Sequence, residues 1–399
     1  ALISLLPLKK INAQASMDKG MTGLAEFVIK RKNFLLFSTA TLVVVLIFGI
    51  TKISLEDDFL RYFDEKYELR QSIDYYEENF GGLNALEYSV SSDIENGINN
   101  PEYLQKVNDL VEFMRSQPEV TSVRSYTDVV KRLNQNFNND NESFYKIPAT
   151  ELEAAQYLFL YELSLGYGLD LTDQINVDKS ALRITANVAN ATTKEFLNLD
   201  KRIQGWFAEN APELMTKSTG PSQVFSQISS RDVPAMLQGT GLALIGISFI
   251  ILLVIRNVKY GLMSLIPNLL PAAMAFGLWG YYTGAVTLAV SIVVAMTLGI
   301  VVDDSVHFML KYAKARKNGK TPEDSVREAF QKVGMALTTT TIGLFLGFCV
   351  LAQSGFAVNK DMAQLTAITV VFALVVDYLL LPPVLIWIDN FKLKRSASA

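Results

Sequence analysis

The sequence holds one cysteine and one histidine in 399 residues. A lone cysteine, Cys349, excludes an intrachain disulfide, and its place inside an apolar run makes it a small core residue. One histidine with no cysteine nearby supplies too few ligands for an ordinary zinc or iron site, so no metal is expected. Charge is scarce as well. Charged residues make up 19% of the chain against 50% apolar residues, and mean hydropathy is +0.23. A soluble domain of this length is rarely so apolar. The apolar residues also collect in blocks of about 18–25, enough to cross a ~30 Å hydrocarbon core at ~1.5 Å per residue.

Six blocks read as transmembrane helices: 34–50, 237–255, 261–282, 286–310, 335–352 and 363–388. A polar domain, 51–236, separates the first from the second. Alternation puts 1–32, 256–260, 311–334 and the tail 389–399 on one side, with 18 Lys+Arg among them. The opposite loops, 283–285 and 353–362, carry only Lys360. The positive-inside rule makes the basic side cytoplasmic. The large domain, with 17 Lys+Arg against 30 Asp+Glu, then lies outside.

That domain has a mixed rhythm. Residues 85–91 (ALEYSVS) alternate like a strand, 102–116 have helical spacing behind Pro101, and 120–126 return to strand. A second β-α-β unit follows: strand at 181–188, helix at 193–209 behind a Thr192–Thr193 cap signal, and strand at 213–218. Residues 149–165 read as an amphipathic helix between them. Two split β-α-β units predict a ferredoxin-like arrangement. On the cytoplasmic side, 321–333 (TPEDSVREAFQKV) places Val326, Ala329, Phe330 and Val333 on one stripe. It reads as an interfacial amphipathic helix, a membrane-lying connector or a regulatory element. The opening, ALISLLPLKK, has its basic residues after its apolar ones, so it is no signal peptide. It reads as the end of a preceding membrane helix, with 1–33 forming that end plus a cytoplasmic linker, and suggests a second half of a repeated protein.

Four ionisable residues sit deep in the apolar blocks: Asp303, Asp304, His307 and Asp377. Each costs ~2.5–3.5 kcal/mol at a helix centre unless it faces protein or water. Asp303 and His307 are i,i+4 and Asp304 and His307 are i,i+3, so both carboxylates can approach the imidazole. Two adjacent carboxylates in a low-dielectric site do not both ionise easily, and a histidine beside them can share the proton. The cluster suits a proton relay, or a hydrogen-bonded tie between helices. Gly299, one turn earlier, would let a neighbouring helix pack closely, and Thr297 lies on roughly the face of Asp304. Asp377 is either a partner of the relay or an anchor for the last helix. The run 338–341 (TTTT) offers hydroxyls, with Thr339 and Thr340 as candidate partners of the aspartates, although threonine also bonds back to its own helix. By helix rise the cluster lies ~12 Å from the cytoplasmic end at Lys311.

GIVVDDSVHF, 299–308, resembles the Gly-x-x-x-Asp-Asp motif in the central helix of the resistance-nodulation-division (RND) superfamily. Its trailing His307 is similar to the branch of MmpL-like hydrophobe exporters and Patched-like relatives. LIPNLLPAAMAFGLWG, TTTTIGLFLGFCVLAQSGF and FALVVDYLLLPPVL agree. The resemblance implies a six-helix membrane bundle with an α+β outer porter domain, forming helices seven to twelve and the second porter domain of a proton-driven exporter. It implies Gly299, Asp303, Asp304 and His307 as proton-relay positions. It also implies no enzyme activity, no cofactor beyond the proton, and no nucleic-acid partner. The expected partners are membrane lipids, a hydrophobic or lipid-like substrate and the N-terminal half, and a homo-oligomer is compatible with the layout. The expected location is the bacterial inner membrane, with the porter domain in the periplasm. A SecD/SecF-like translocation accessory and a non-transporting lipid sensor share this layout. Substrate-binding residues are not legible.

Overall fold

The computed structural model describes residues 13–166, 170–189, 191–255 and 258–397. The opening run 1–10, read above as a helix end, lies outside them, as do 256–257 in the cytoplasmic turn and 398–399 in the tail. The chain divides into two units, Glu56–Asp232 and the remainder.

In chain order, α1 (Ala13–Lys30), α2 (Lys32–Phe48) and β1 (Ser54–Leu55) open the first unit. The second contains α3 (Glu68–Phe80), β2 (Asn84–Ser91), α4 (Pro101–Arg115), β3 (Val120–Arg124), α5 (Tyr126–Phe137), α6 (Glu151–Ser164), β4 (Ala181–Val188), α7 (Thr193–Asn210) and α8 (Pro221–Gln227). The first unit resumes with α9 (Val233–Ile255), α10 (Val258–Met263), α11 (Leu265–Tyr282), β5 (Ala285–Val286), α12 (Leu288–Lys317), α13 (Pro322–Ala329), α14 (Met335–Leu351), α15 (Ala357–Val375) and α16 (Leu381–Ala397).

The sheet of the second unit runs β2-β4-β3, both pairs antiparallel. Alternate residues of β2 (Leu86, Tyr88, Val90) and β4 (Leu182, Ile184, Ala186, Val188) turn inward and are fully buried. They meet Leu104, Val107 and Val111 of α4 and Leu199, Ile203 and Phe207 of α7. Full burial of such side chains contributes about 1.5–3 kcal/mol each. Local chemistry fixes where the helices start. The Asn100 side chain accepts from the Glu102 and Tyr103 amides ahead of Pro101, and Thr150–Glu153 and Thr192–Glu195 form capping boxes.

The expected fourth strand is not formed. Pro212 lacks an N–H for a ladder and opens a 3-10 turn, Pro212–Leu214. Only Thr219 reaches β2, in a single bridge to Glu87, and the Ala85 amide donates to the Ser222 hydroxyl at the start of α8. The ferredoxin-like expectation therefore reduces to three strands. In addition, α5 and α6 stand between β3 and β4, where a hairpin would do.

Among the described residues, five helical runs are long and apolar enough to cross a membrane: Lys32–Lys52, Pro221–Leu253, Leu288–Lys317, Pro322–Leu351 and Ala357–Asn390. The sixth expected span, 261–282, contains α11, whose apolar character is diluted by Pro267, Asn268, Pro271 and two C-terminal tyrosines. It packs inside the first unit, with Met274, Ala275 and Trp279 buried. Contact with α2 is backbone to backbone. A Cβ at Gly277 would run into the Leu46 carbonyl, and one at Gly280 would run into that of Gly49. Such glycines let membrane helices approach closely.

The apolar stripe of the amphipathic helix is covered by protein. Val326, Ala329 and Phe330 are fully buried against Ala25 and Val28 of α1 and Phe308 and Tyr312 of α12. Ion pairs hold it there, Arg327–Glu26 to α1 and Lys32–Glu323 to α2. The sequence pattern shows an apolar stripe but not which surface covers it, and here protein does.

Carboxylates of the membrane helices

Thr287 starts α12 by accepting the Val290 amide at its side chain, and the helix then runs unbroken for 30 residues. Its faces differ sharply. Thr297, Val301, Ser305 and Phe308 are buried, whereas Met296, Gly299, Asp303 and His307 are open. On the open face, His307 Nε2 lies 3.4 Å from Asp303 Oδ1, with 56% and 73% of the two side chains exposed. Asp304 is half-buried between the faces.

The buried face leads elsewhere. The Ser305 hydroxyl donates to Asp377 Oδ1 across 2.8 Å, and Asp377 is only 1% exposed. Asp377 lies in a turn of π-helix, Val376–Leu380, that joins α15 to α16. In the same turn the Tyr378 hydroxyl donates to the Gly334 carbonyl at 2.5 Å and lies 2.9 Å from the Thr338 hydroxyl. Gly334 closes a second π turn, Phe330–Gly334, at the start of α14. Such turns break the regular backbone ladder and recur at functional positions.

The remaining candidates fall as follows. Thr297 is buried and donates to the Val293 carbonyl of its own helix, 2.7 Å away. It is therefore turned away from the Asp303 face. Thr339 and Thr340 are exposed and bond back to Met335 and Leu337, both at 2.9 Å. The member of that run that reaches another helix is Thr338. A methyl group added at Gly299 would meet nothing within 4 Å among the described residues, so no helix described here packs against it. Ser305, Tyr378 and Gly334 were missed in the sequence. Ser305 was within reach, since it lies two turns after Thr297 on the stripe 297, 301, 305, 308.

A second knot lies toward the C-terminal end of α12. Asp389 of α16 is buried and accepts from the Tyr312 hydroxyl and Arg316 Nε, both at 2.8 Å, and from the Tyr260 hydroxyl at 3.2 Å. Burial first, then the Asp389 charge, push the Tyr260 hydroxyl up to about 12. It therefore stays a donor at any physiological pH.

A bundle of long apolar helices, with Asp377 and Asp389 enclosed in it and a polar α/β unit inserted after the first of them, defines a multi-pass membrane protein. A family model places it: residues 96–398 match the MMPL family, and the chain belongs to that family. It is similar to a putative membrane protein of Methanocaldococcus jannaschii, 22% identical over 317 residues that cover 77% of this chain and 78% of the relative. Its fold is also similar to the cryo-EM structure of the hedgehog release protein Disp from the water bear Hypsibius dujardini, with TM-score 0.55 and 12% identity over 96% of this chain. The chain spans about half of that protein, 51% of its length.

Proposed function

We propose that the chain forms one half of an exporter that uses the proton gradient to move hydrophobic or amphiphilic molecules, lipids among them, outward across a bacterial inner membrane. The observation that carries this reading is the polar row on α12. Asp303 and His307 lie on an open face of a long apolar helix, with Asp304 beside them. Placing such groups there is costly, and in membrane proteins they mark ion and proton pathways. A matching N-terminal half would cover the open face and complete the relay. The basic loops support a periplasmic side for the Glu56–Asp232 unit. Likeness in fold to a protein named for hedgehog release supports release as the direction of transport.

The test uses the intact transporter, both halves included, in proteoliposomes with an imposed pH gradient. Movement of a fluorescent phospholipid and proton flux into a trapped pH dye are read together. Asp303→Asn and Asp304→Asn are expected to fold normally and reduce both signals to background. Wild-type flux from either variant would overturn the relay. Gradient-independent lipid binding without flux would favour a lipid sensor.

A further inference from the structure

The carboxylates of the membrane region form a graded row. Asp303 and His307 are open, Asp304 is half-buried, and Asp377 is enclosed. The hydrogen bond from Ser305, the residue next to Asp304, connects the row to Asp377 across 72 positions of sequence. From this geometry we infer that Asp377 is the inner proton site of the relay, with Ser305 and Tyr378 as its positioning residues. The inference rests on the reading of Asp303 and Asp304 as a proton relay.

The chemistry balances. An Asp304 carboxylic acid and an Asp377 carboxylate exchange one proton, leaving Asp304 ionised and Asp377 neutral. Ser305 serves both states. Its hydroxyl donates to the Asp377 carboxylate in the first and can accept from the Asp377 acid in the second. From α12 Asp377 meets Ser305 and the charge of Asp304, and its own turn adds Tyr378. Packing from α2 and α11 around the neighbouring Val376 and Leu380 is apolar, through Val43, Leu46 and Met274. The charged pair of Asp389, in the middle of α16, with Arg316 of α12 lies three turns further along. A carboxylate so enclosed, with a neutral hydroxyl as partner, is an expensive tie between helices, and Ser paired with Asn would do that work at lower cost.

Tyr378 has the second task. Its bond to Gly334 joins the π turn that carries Asp377 to the π turn that begins α14. The Gly334 position also abuts Met21 of α1, since a Cβ there would crowd the Met21 sulfur.

The experiment uses the intact transporter in proteoliposomes. Proton flux is measured against pH, and the protonated-carboxyl C=O stretch is followed by infrared difference spectroscopy over the same range. Asp377→Asn is expected to remove one titrating carboxyl band and abolish flux. Ser305→Ala retains the carboxyl but loses a donor to its charged form, so the flux midpoint should move up by about one pH unit. Tyr378→Phe should slow flux without moving that midpoint. If Asp377→Asn does not fold, Ser305→Ala decides alone, because a merely structural hydroxyl leaves the midpoint in place. Loss of flux in Asp303→Asn and Asp304→Asn, with an unchanged pH profile in Ser305→Ala and an unchanged carboxyl band in Asp377→Asn, would overturn this inference and leave the relay standing. Undiminished flux in Asp303→Asn and Asp304→Asn would instead overturn the relay itself.

Discussion

Removing Asp389 should loosen the cytoplasmic end of the bundle by a measurable amount. Its carboxylate accepts from Arg316, Tyr312 and Tyr260, which draws α10, α12 and α16 together. Hydrogen bonds to a charged group contribute about 1.5–3 kcal/mol, and breaking a buried pair costs about 3–5 kcal/mol because the partner is left uncompensated. The Arg316 side chain is 23% exposed, so water recovers part of that loss. Asp389→Ala should therefore cost about 3 kcal/mol, and Arg316→Ala about 2–3 kcal/mol. Because the two groups act on each other, the double variant should cost about 1.5–3 kcal/mol less than the sum. SDS unfolding in mixed micelles, followed by circular dichroism, gives all four free energies. Salt should change the coupling little, since the carboxylate is 4% exposed and poorly screened. Additivity within about 0.5 kcal/mol would refute the reasoning.

Other expectations follow from the packing. Gly277→Leu should abolish folding in the membrane, since even a methyl group meets the Leu46 carbonyl, and fluorescence-detected size exclusion reads this as lost monodisperse protein. Phe207→Ala in the outer unit, which removes a fully buried ring facing Tyr88, should cost about 3–5 kcal/mol by thermal unfolding. Bonds from the amide and hydroxyl of Thr192 hold Glu195 below the usual carboxylate range. That stabilisation is present above the unfolded glutamate value of about 4.3 and is lost as pH falls through the lower folded one. Thr192→Ala should accordingly speed hydrogen exchange in the first turn of α7 at neutral pH, and the difference should narrow in acid without vanishing, since the bond from the Glu195 amide to the Thr192 hydroxyl does not titrate.

What the sequence made legible follows local physics. The strand at 181–188 and the helix starts at Pro101 and Thr193 are observed where alternation and cap chemistry put them. The charges of α12 stood out because nothing near them in sequence is polar enough to hide them. Features set by tertiary packing were not legible. Residues 213–218 alternate well enough for a strand, but Pro212 and the turn after it decide otherwise. The stripe of α13 is the same whether lipid or α1 covers it, and only the partners Glu26 and Lys32 distinguish the two. Thr339 and Thr340 look identical to Thr338 in a run of four, yet only Thr338 faces Tyr378. Asp377 reads in the sequence as an anchor or a partner, and the group it meets, the Ser305 hydroxyl 72 positions away, was not legible there.

The open face of α12 has a consequence for how such a protein is made. A ribosome that has delivered these helices and nothing to set against them leaves Asp303 and His307 facing acyl chains. At ~2.5–3.5 kcal/mol for a central charge, that intermediate resembles a substrate for membrane quality control more than a finished product. A chain made without the proposed first half should therefore be degraded faster than the whole transporter.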